Sequence, residues 1–237
     1  MSIKFGKMLL NNKPRGGHFF GLRNTLEPDQ DNACVGKENM TVITRTVASF
    51  KSITIFEIVL TLVLAVALGV AFWGWTFVYD LAKPFLKVAG LSYLVAGFWI
   101  LSAVLVPYIV RKPGIAIIAS VMAAFIESLL THWGLMSLLW GLVQGIGCEI
   151  IFFIFFYRKW NLPVLMVAAA LSALFSYTLD YFLYDYGALS LGFNALQLTS
   201  FIISSIFFAG IFSYLLGKRL VRLGILDQFL IGKEQDV

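Results

Sequence analysis

Charge is scarce in this sequence. Only 13% of its 237 residues are Asp, Glu, Lys or Arg, against 59% hydrophobic, and the mean hydropathy is +0.86. That balance excludes a water-soluble globular domain and marks an integral membrane protein. Cysteine is nearly missing too, and Cys34 and Cys148 make no disulfide framework. There is no HExxH helix, no paired-cysteine zinc spacing and no GxxxxGK[ST] phosphate loop. No metal centre or cofactor is therefore expected, and the chain has no usual means of using ATP itself. A GxSxG elbow is also lacking, so an enzyme is not expected. The net charge of +5 does not point to nucleic acid, because the bases sit at the ends of apolar runs and not on one face.

What is present is a succession of apolar runs. Residues 1–52 stand apart, with eight Lys or Arg, the turn-like Pro14-Arg15-Gly16-Gly17 and no apolar stretch that could serve as a signal peptide. They are expected to form a basic, disordered cytoplasmic tail, with Met40 as an alternative start of translation. Residues 53–217 read as six transmembrane helices, and 218–237 as a short cytoplasmic tail. The first span covers about Ile53 to Val78, followed by an outer loop from Asp80 to Lys87 that contains Pro84. The others cover about Val88 to Val110, Gly114 to Leu130, Leu135 to Tyr157, the run after Arg158-Lys159, and Asn194 to Leu216. Asn161 is placed as N-cap and Pro163 in the first turn of the fifth. None of the helices reads as broken at midplane.

Sixteen of the eighteen bases fall on one side of this layout, with Lys83 and Lys87 on the other. The asymmetry puts both termini in the cytoplasm.

In the first span, small residues recur four apart, Ala65 with Gly69 and Ala67 with Ala71, which allows close approach of another helix. Packing inside the bundle and docking of a partner subunit both fit that spacing. The third, fourth and fifth spans each carry a carboxylate: Glu127, Glu149 and Asp180. A charge within the bilayer costs at least about 2.5–3.5 kcal/mol on insertion scales, so each is a functional candidate. At about 1.5 Å per residue from the cytoplasmic boundary, Glu127, Gln144 and Asp180 rise roughly 21, 21 and 25 Å into a core of about 30 Å. The three converge in the outer half. Glu149, roughly 14 Å up by the same rise, could form a floor. Trp133, Tyr184, Asn194 and Gln197 ring the same level, and Trp99 lies too deep for an interfacial belt, so its indole N–H needs a partner.

This set reads as a pocket open to the outside. Carboxylates suit an amino-substituted heterocycle or a cation, amides suit ring nitrogens and hydroxyls, and Trp and Tyr faces attract cations. No Arg or Lys is expected at that depth to receive an anion. In the plainer reading, Glu127 is a structural donor, Asp180 faces outer water and the carboxylates serve packing alone.

The ordered set Arg111-Lys112-Pro113-Gly114, Glu127-Ser128 and Gly141-Leu142-Val143-Gln144-Gly145 to Glu149 resembles the YkoE family over about residues 53 to 220. These are membrane-embedded substrate-binding S components of energy-coupling factor (ECF) transporters, a class of ABC importer. The resemblance implies a six-helix bundle with an outward pocket for thiamine or its hydroxymethylpyrimidine precursor. It also implies a transmembrane T component and two cytoplasmic ATPases as partners, with Ala67 and Ala71 touching the T component by analogy. Glu127 or Glu149 would meet the aminopyrimidine and Trp99 or Trp133 would stack on the ligand. Alternatives from other classes are a small-solute channel or autonomous carrier, and a membrane scaffold.

Overall fold

The computed structural model describes residues 53–222. The expected tail 1–52, Cys34 included, and the last fifteen residues of the expected tail 218–237 lie outside the described residues. Six apolar helical segments run alternately up and down: α1 (Ile55–Val88), α2 (Ser92–Val110), α3 (Ile115–Leu130), α4 (Gly134–Ile154), α5 (Leu162–Leu183) and α6 (Leu191–Arg222). Five are long and apolar enough to cross a bilayer, and α3 is a shorter apolar helix between two of them. No strand occurs among the described residues. We call the end carrying the turns 111–114 and 155–161 the near end. The opposite end, with the loops 89–91, 131–133 and 184–190, is the far end.

Helix α1 opens with a capping box. Glu57 N–H donates to Thr54 Oγ1 (3.3 Å), and Thr54 N–H donates back to Glu57 Oε2 (2.8 Å). Glu57 also pairs with Lys112 Nζ at 3.8 Å, which ties the start of α1 to the 111–114 turn. The helix then runs for 34 residues, or about 51 Å at 1.5 Å per residue. The outer loop expected over Asp80–Lys87 is therefore helical, and Pro84 lies inside the helix. Proline forfeits one hydrogen bond, and the remainder of the last turns holds the helix to Val88. Only one stripe of α1 is buried, formed by Thr61, Ala65, Gly69, Phe72 and Thr76. Gly69 abuts the Ala123 carbonyl and the Ile126 side chain of α3, where a Cβ would not fit. Ala67 and Ala71 face outward.

Helix α2 is the core of the bundle, with every residue from Leu101 to Val110 buried. Its first nine residues, Ser92–Ile100, are 3₁₀ and the rest α. A 3₁₀ run of this length is uncommon. Here it is braced by Gly97, whose N–H donates to Ser204 Oγ of α6 (3.0 Å) and whose missing side chain admits the α6 backbone. Beyond that contact α6 widens into a π-helical segment, Ile206–Ile211. Winding changes at these two neighbouring places, and both helices run on without a break. Glycines also set the α3–α4 and α4–α5 seams, with Gly141 against Ala124 and Gly147 against Ser172.

Helix α4 ends at Ile154, three residues before the expected Tyr157, because Phe156 and Tyr157 take left-handed backbone with φ 51° and 55°. Asn161 does stand at the N-cap of α5 with Pro163 in the first turn, but its side chain makes no capping bond. Helix α6 begins at Leu191, capped by Ser190 Oγ, which accepts from Phe193 N–H (3.3 Å).

A carboxylate and aromatic cluster at the far end

Two carboxylates are buried at the far end, Glu127 on α3 and Asp180 on α5. Each is held by an indole: Trp99 Nε1–H donates to Glu127 Oε1 (2.6 Å) and Trp140 Nε1–H to Asp180 Oδ1 (2.7 Å). The second oxygen of Asp180 accepts from Tyr93 O–H (2.8 Å). Tyr186 lies 3.2 Å from the Tyr93 hydroxyl and, since that proton is spent on Asp180, donates to it. Thr76, whose hydroxyl donates to the Phe72 carbonyl (3.0 Å), lies beside Glu127. Charge-assisted bonds of this kind are about twice as strong as neutral ones, so both carboxylates are fixed in place.

The 3₁₀ winding of α2 explains why one helix can serve both acids. With three residues per turn, Tyr93, Ala96 and Trp99 line up on one face, and Tyr93 and Trp99 stand roughly 12 Å apart along it. In an α-helix the same two residues would point some 120° apart. The unusual winding therefore aims one donor at each carboxylate.

Aromatic faces surround the pair. Around Glu127, Tyr79 meets Trp99 edge-on (centroids 5.1 Å apart) and leans on Trp133 at 6.4 Å, while His132 packs on Trp133 at 4.4 Å. Around Asp180, Trp140 stacks with Tyr184 (6.3 Å, 21° between planes), and Tyr184 and Tyr186 are 5.9 Å apart. Tyr93 and Trp99 of α2 link the two halves, one bonded to Asp180 and the other to Glu127. Burial, then the Asp180 charge, then Tyr186, raises the Tyr184 phenol above its ordinary value. For Tyr186, burial again dominates and raises it. Both stay neutral donors at physiological pH.

The site positions read from the sequence fall into two groups at the far end, with Glu149 apart from both. Glu127, Trp99 and Trp133 come together on one side, and Asp180, Tyr184, Asn194 and Gln197 on the other. Asn194 is committed to its own chain, accepting from Tyr177 O–H (2.8 Å) and donating to the Tyr186 carbonyl (2.9 Å). Gln197 Oε1 also lies within reach of the Tyr177 hydroxyl (3.2 Å), and its amide N–H₂ finds no partner among the described residues. Gln144 is one turn inward of Trp140 and 7% exposed. Its backbone carbonyl accepts from Ser172 Oγ (3.0 Å), and its side-chain amide has no partner among the described residues.

Glu149 is not brought to this cluster. Its oxygens accept from the N–H groups of Gly114 (2.5 Å) and Ala116 (3.2 Å), at the start of α3, and from Tyr157 O–H (2.5 Å). Glu127 sits near the other end of that same helix, about 18 Å away at 1.5 Å per residue. The expected floor is thus a cap on the near end of α3, where a carboxylate meets both the free N–H groups and the positive helix dipole. Burial and the bond to Glu149 raise the Tyr157 phenol, which keeps its proton for that bond.

Sequence reading missed Tyr79, Tyr93, Trp140 and Tyr186. Trp140 carried a usable signal, since it is four residues from Gln144 on one helical face. Tyr93 carried none, because only 3₁₀ winding puts it in line with Trp99. The expectation that no base reaches this level is corrected as well. Lys83 lies over the rings of Tyr79 and Trp133, because α1 stays helical to Val88.

The fold and the cluster define a multi-pass membrane bundle with one aromatic, acid-lined end, the form of a membrane-embedded binding subunit. Known proteins give the same answer in more detail. Residues 56–175 match a protein-family model described as an ABC-type cobalt transport system, permease component. YkoE of Bacillus subtilis (strain 168), provisionally named an HMP/thiamine permease protein, is 33% identical over 186 residues, covering 78% of this chain and 92% of its own length. A crystal structure described as an S-component of an ECF transporter superposes with a TM-score of 0.74 at 31% identity, covering 78% of this chain and 94% of that one. The chain belongs to the YkoE family of ECF-transporter S components. It is a transporter component of the plasma membrane and not an enzyme.

Proposed function

We propose that the far-end cluster binds thiamine or its hydroxymethylpyrimidine precursor, and that the far end faces the outside of the cell. The observation that carries this reading is that Glu127 and Asp180 are both buried at the far end of the bundle, each fixed by an indole donor and set among aromatic rings. Both oxygens of Asp180 are engaged, so its part is to hold Trp140 and Tyr93 in position. Glu127 gives one oxygen to Trp99 and keeps acceptor capacity for an exocyclic amine, while Trp99 or Trp133 stacks on the ring. The amides of Gln144 and Gln197 suit ring nitrogens or a hydroxyl. The provisional naming of YkoE for HMP and thiamine supports the substrate class. The distribution of Lys and Arg supports the orientation, with both termini cytoplasmic.

In this reading the chain captures its ligand and delivers it inward with a T component and two ATPases, and the exposed Ala67 and Ala71 on α1 form part of the T-component contact. The cobalt named for the matching family model is less well served. Among the described residues no three His, Cys, Asp or Glu side chains come together.

Calorimetric titration of the purified full chain with thiamine, hydroxymethylpyrimidine and Co²⁺ tests the assignment. Submicromolar binding of either organic compound, lost in Glu127→Gln, supports it. Binding of neither by a folded protein rejects the substrate class. Flux of solute through vesicles holding this chain alone would favour an autonomous carrier instead.

A further inference from the structure

The ammonium of Lys83 sits over two faces of the far-end cluster, 5.3 Å from the centre of the Tyr79 ring and 5.6 Å from that of Trp133. Both distances fall within the roughly 6 Å over which an aromatic quadrupole holds a cation. Among the described residues this ammonium has no carboxylate partner. Among those residues, two rings hold it. Continuous helix in α1 produces the contact, because Tyr79 and Lys83 are four residues apart and so share a face. The same rings belong to the site: Tyr79 abuts Trp99, and Trp99 donates to Glu127. A cation of the protein's own thus rests where a cationic ligand would be attracted.

We propose that Lys83 is an internal competitor, occupying the cation position of the empty site and setting the balance between charged and neutral ligands. The proposal rests on the far-end cluster being the ligand site. A lysine suits the part. Its four-carbon stem can swing the ammonium into water, where it is well hydrated, without moving the helix. A ligand with a fixed positive charge, such as the thiazolium of thiamine, must displace it or bear its repulsion. A neutral pyrimidine can enter beside Glu127 with the lysine still in place. Lys83 therefore weakens binding of the first and spares the second.

The test is titration of the full chain and its Lys83→Met and Lys83→Arg variants with thiamine and with hydroxymethylpyrimidine, each variant first checked for an unchanged melting temperature. Removing the charge should tighten thiamine about fivefold or more, the effect of a single relinquished cation–π contact. The neutral compound should move less than about twofold on the same grounds. Lys83→Arg should keep the wild-type ratio. A Lys83→Met protein that binds thiamine more weakly, or tightens both compounds alike, or keeps the ratio, overturns the proposal. Should the wild-type chain bind neither compound, the reading of the cluster as a vitamin site fails first, and this one with it.

Discussion

Glu127 and Glu149 look alike in the sequence, each a lone carboxylate beside a stripe of small residues in an apolar run, yet the two ends of α3 use them differently. At the near end, two backbone N–H groups and a phenol consume the oxygens of Glu149. At the far end, Glu127 takes one indole bond and is walled by aromatic rings. The lesson is that cost of burial alone does not identify a ligand site. What distinguishes the two is who supplies the hydrogen bonds: a helix that needs capping, or side chains that leave capacity for something else.

The sharpest way to test that contrast is Glu127→Gln, which should cut vitamin affinity about a hundredfold, the loss of a charge-assisted bond in a buried site, with the melting temperature held or raised. Glu149→Gln should do the reverse. It should destabilise the folded chain by roughly 2 kcal/mol, seen as a melting point lower by about 5 °C, with affinity of the folded fraction unchanged. Equal losses of affinity in both variants would erase the distinction between the two ends.

Tyr93→Phe removes a donor from Asp180 without emptying space. An affinity loss of about fivefold in calorimetry is expected, since the positioning of Asp180 slackens while Glu127 stays in place. The smallest effect should come from Ala67→Leu, within about 0.5 kcal/mol in thermal stability because the residue is exposed. Vitamin-stimulated uptake by the assembled transporter should nevertheless fall if this face meets the T component. Ala65→Leu, two residues away on the buried stripe, should instead cost roughly 1–3 kcal/mol by overpacking against its neighbours.

Much of this was legible in the residues. Composition and base placement give the six segments, and depth counting brings Glu127, Gln144 and Asp180 to one level, with Trp133 on the loop above them. Of the small residues in α1, Ala65 and Gly69 are turned into the bundle and Ala67 and Ala71 away from it. Depth counting failed for Glu149 because the left-handed residues Phe156 and Tyr157 end α4 early. Five residues from that end is only about 8 Å at 1.5 Å per residue, shallow enough to reach the start of α3. The Lys83 contact was hidden by Pro84, which reads as a loop signal but lies within helix. Tyr93 was hidden by a winding that apolar periodicity does not report, since nearly every residue of α2 is apolar whichever way it faces.

The overwound start of α2 also alters how far that helix reaches. Nine residues at about 2.0 Å and ten at about 1.5 Å span roughly 33 Å, whereas nineteen at the α rise would span about 28 Å, short of a hydrocarbon layer near 30 Å. In the most enclosed helix of the bundle, tighter winding supplies the length of about three missing residues, and the central strut crosses the membrane without a longer gene segment to encode it.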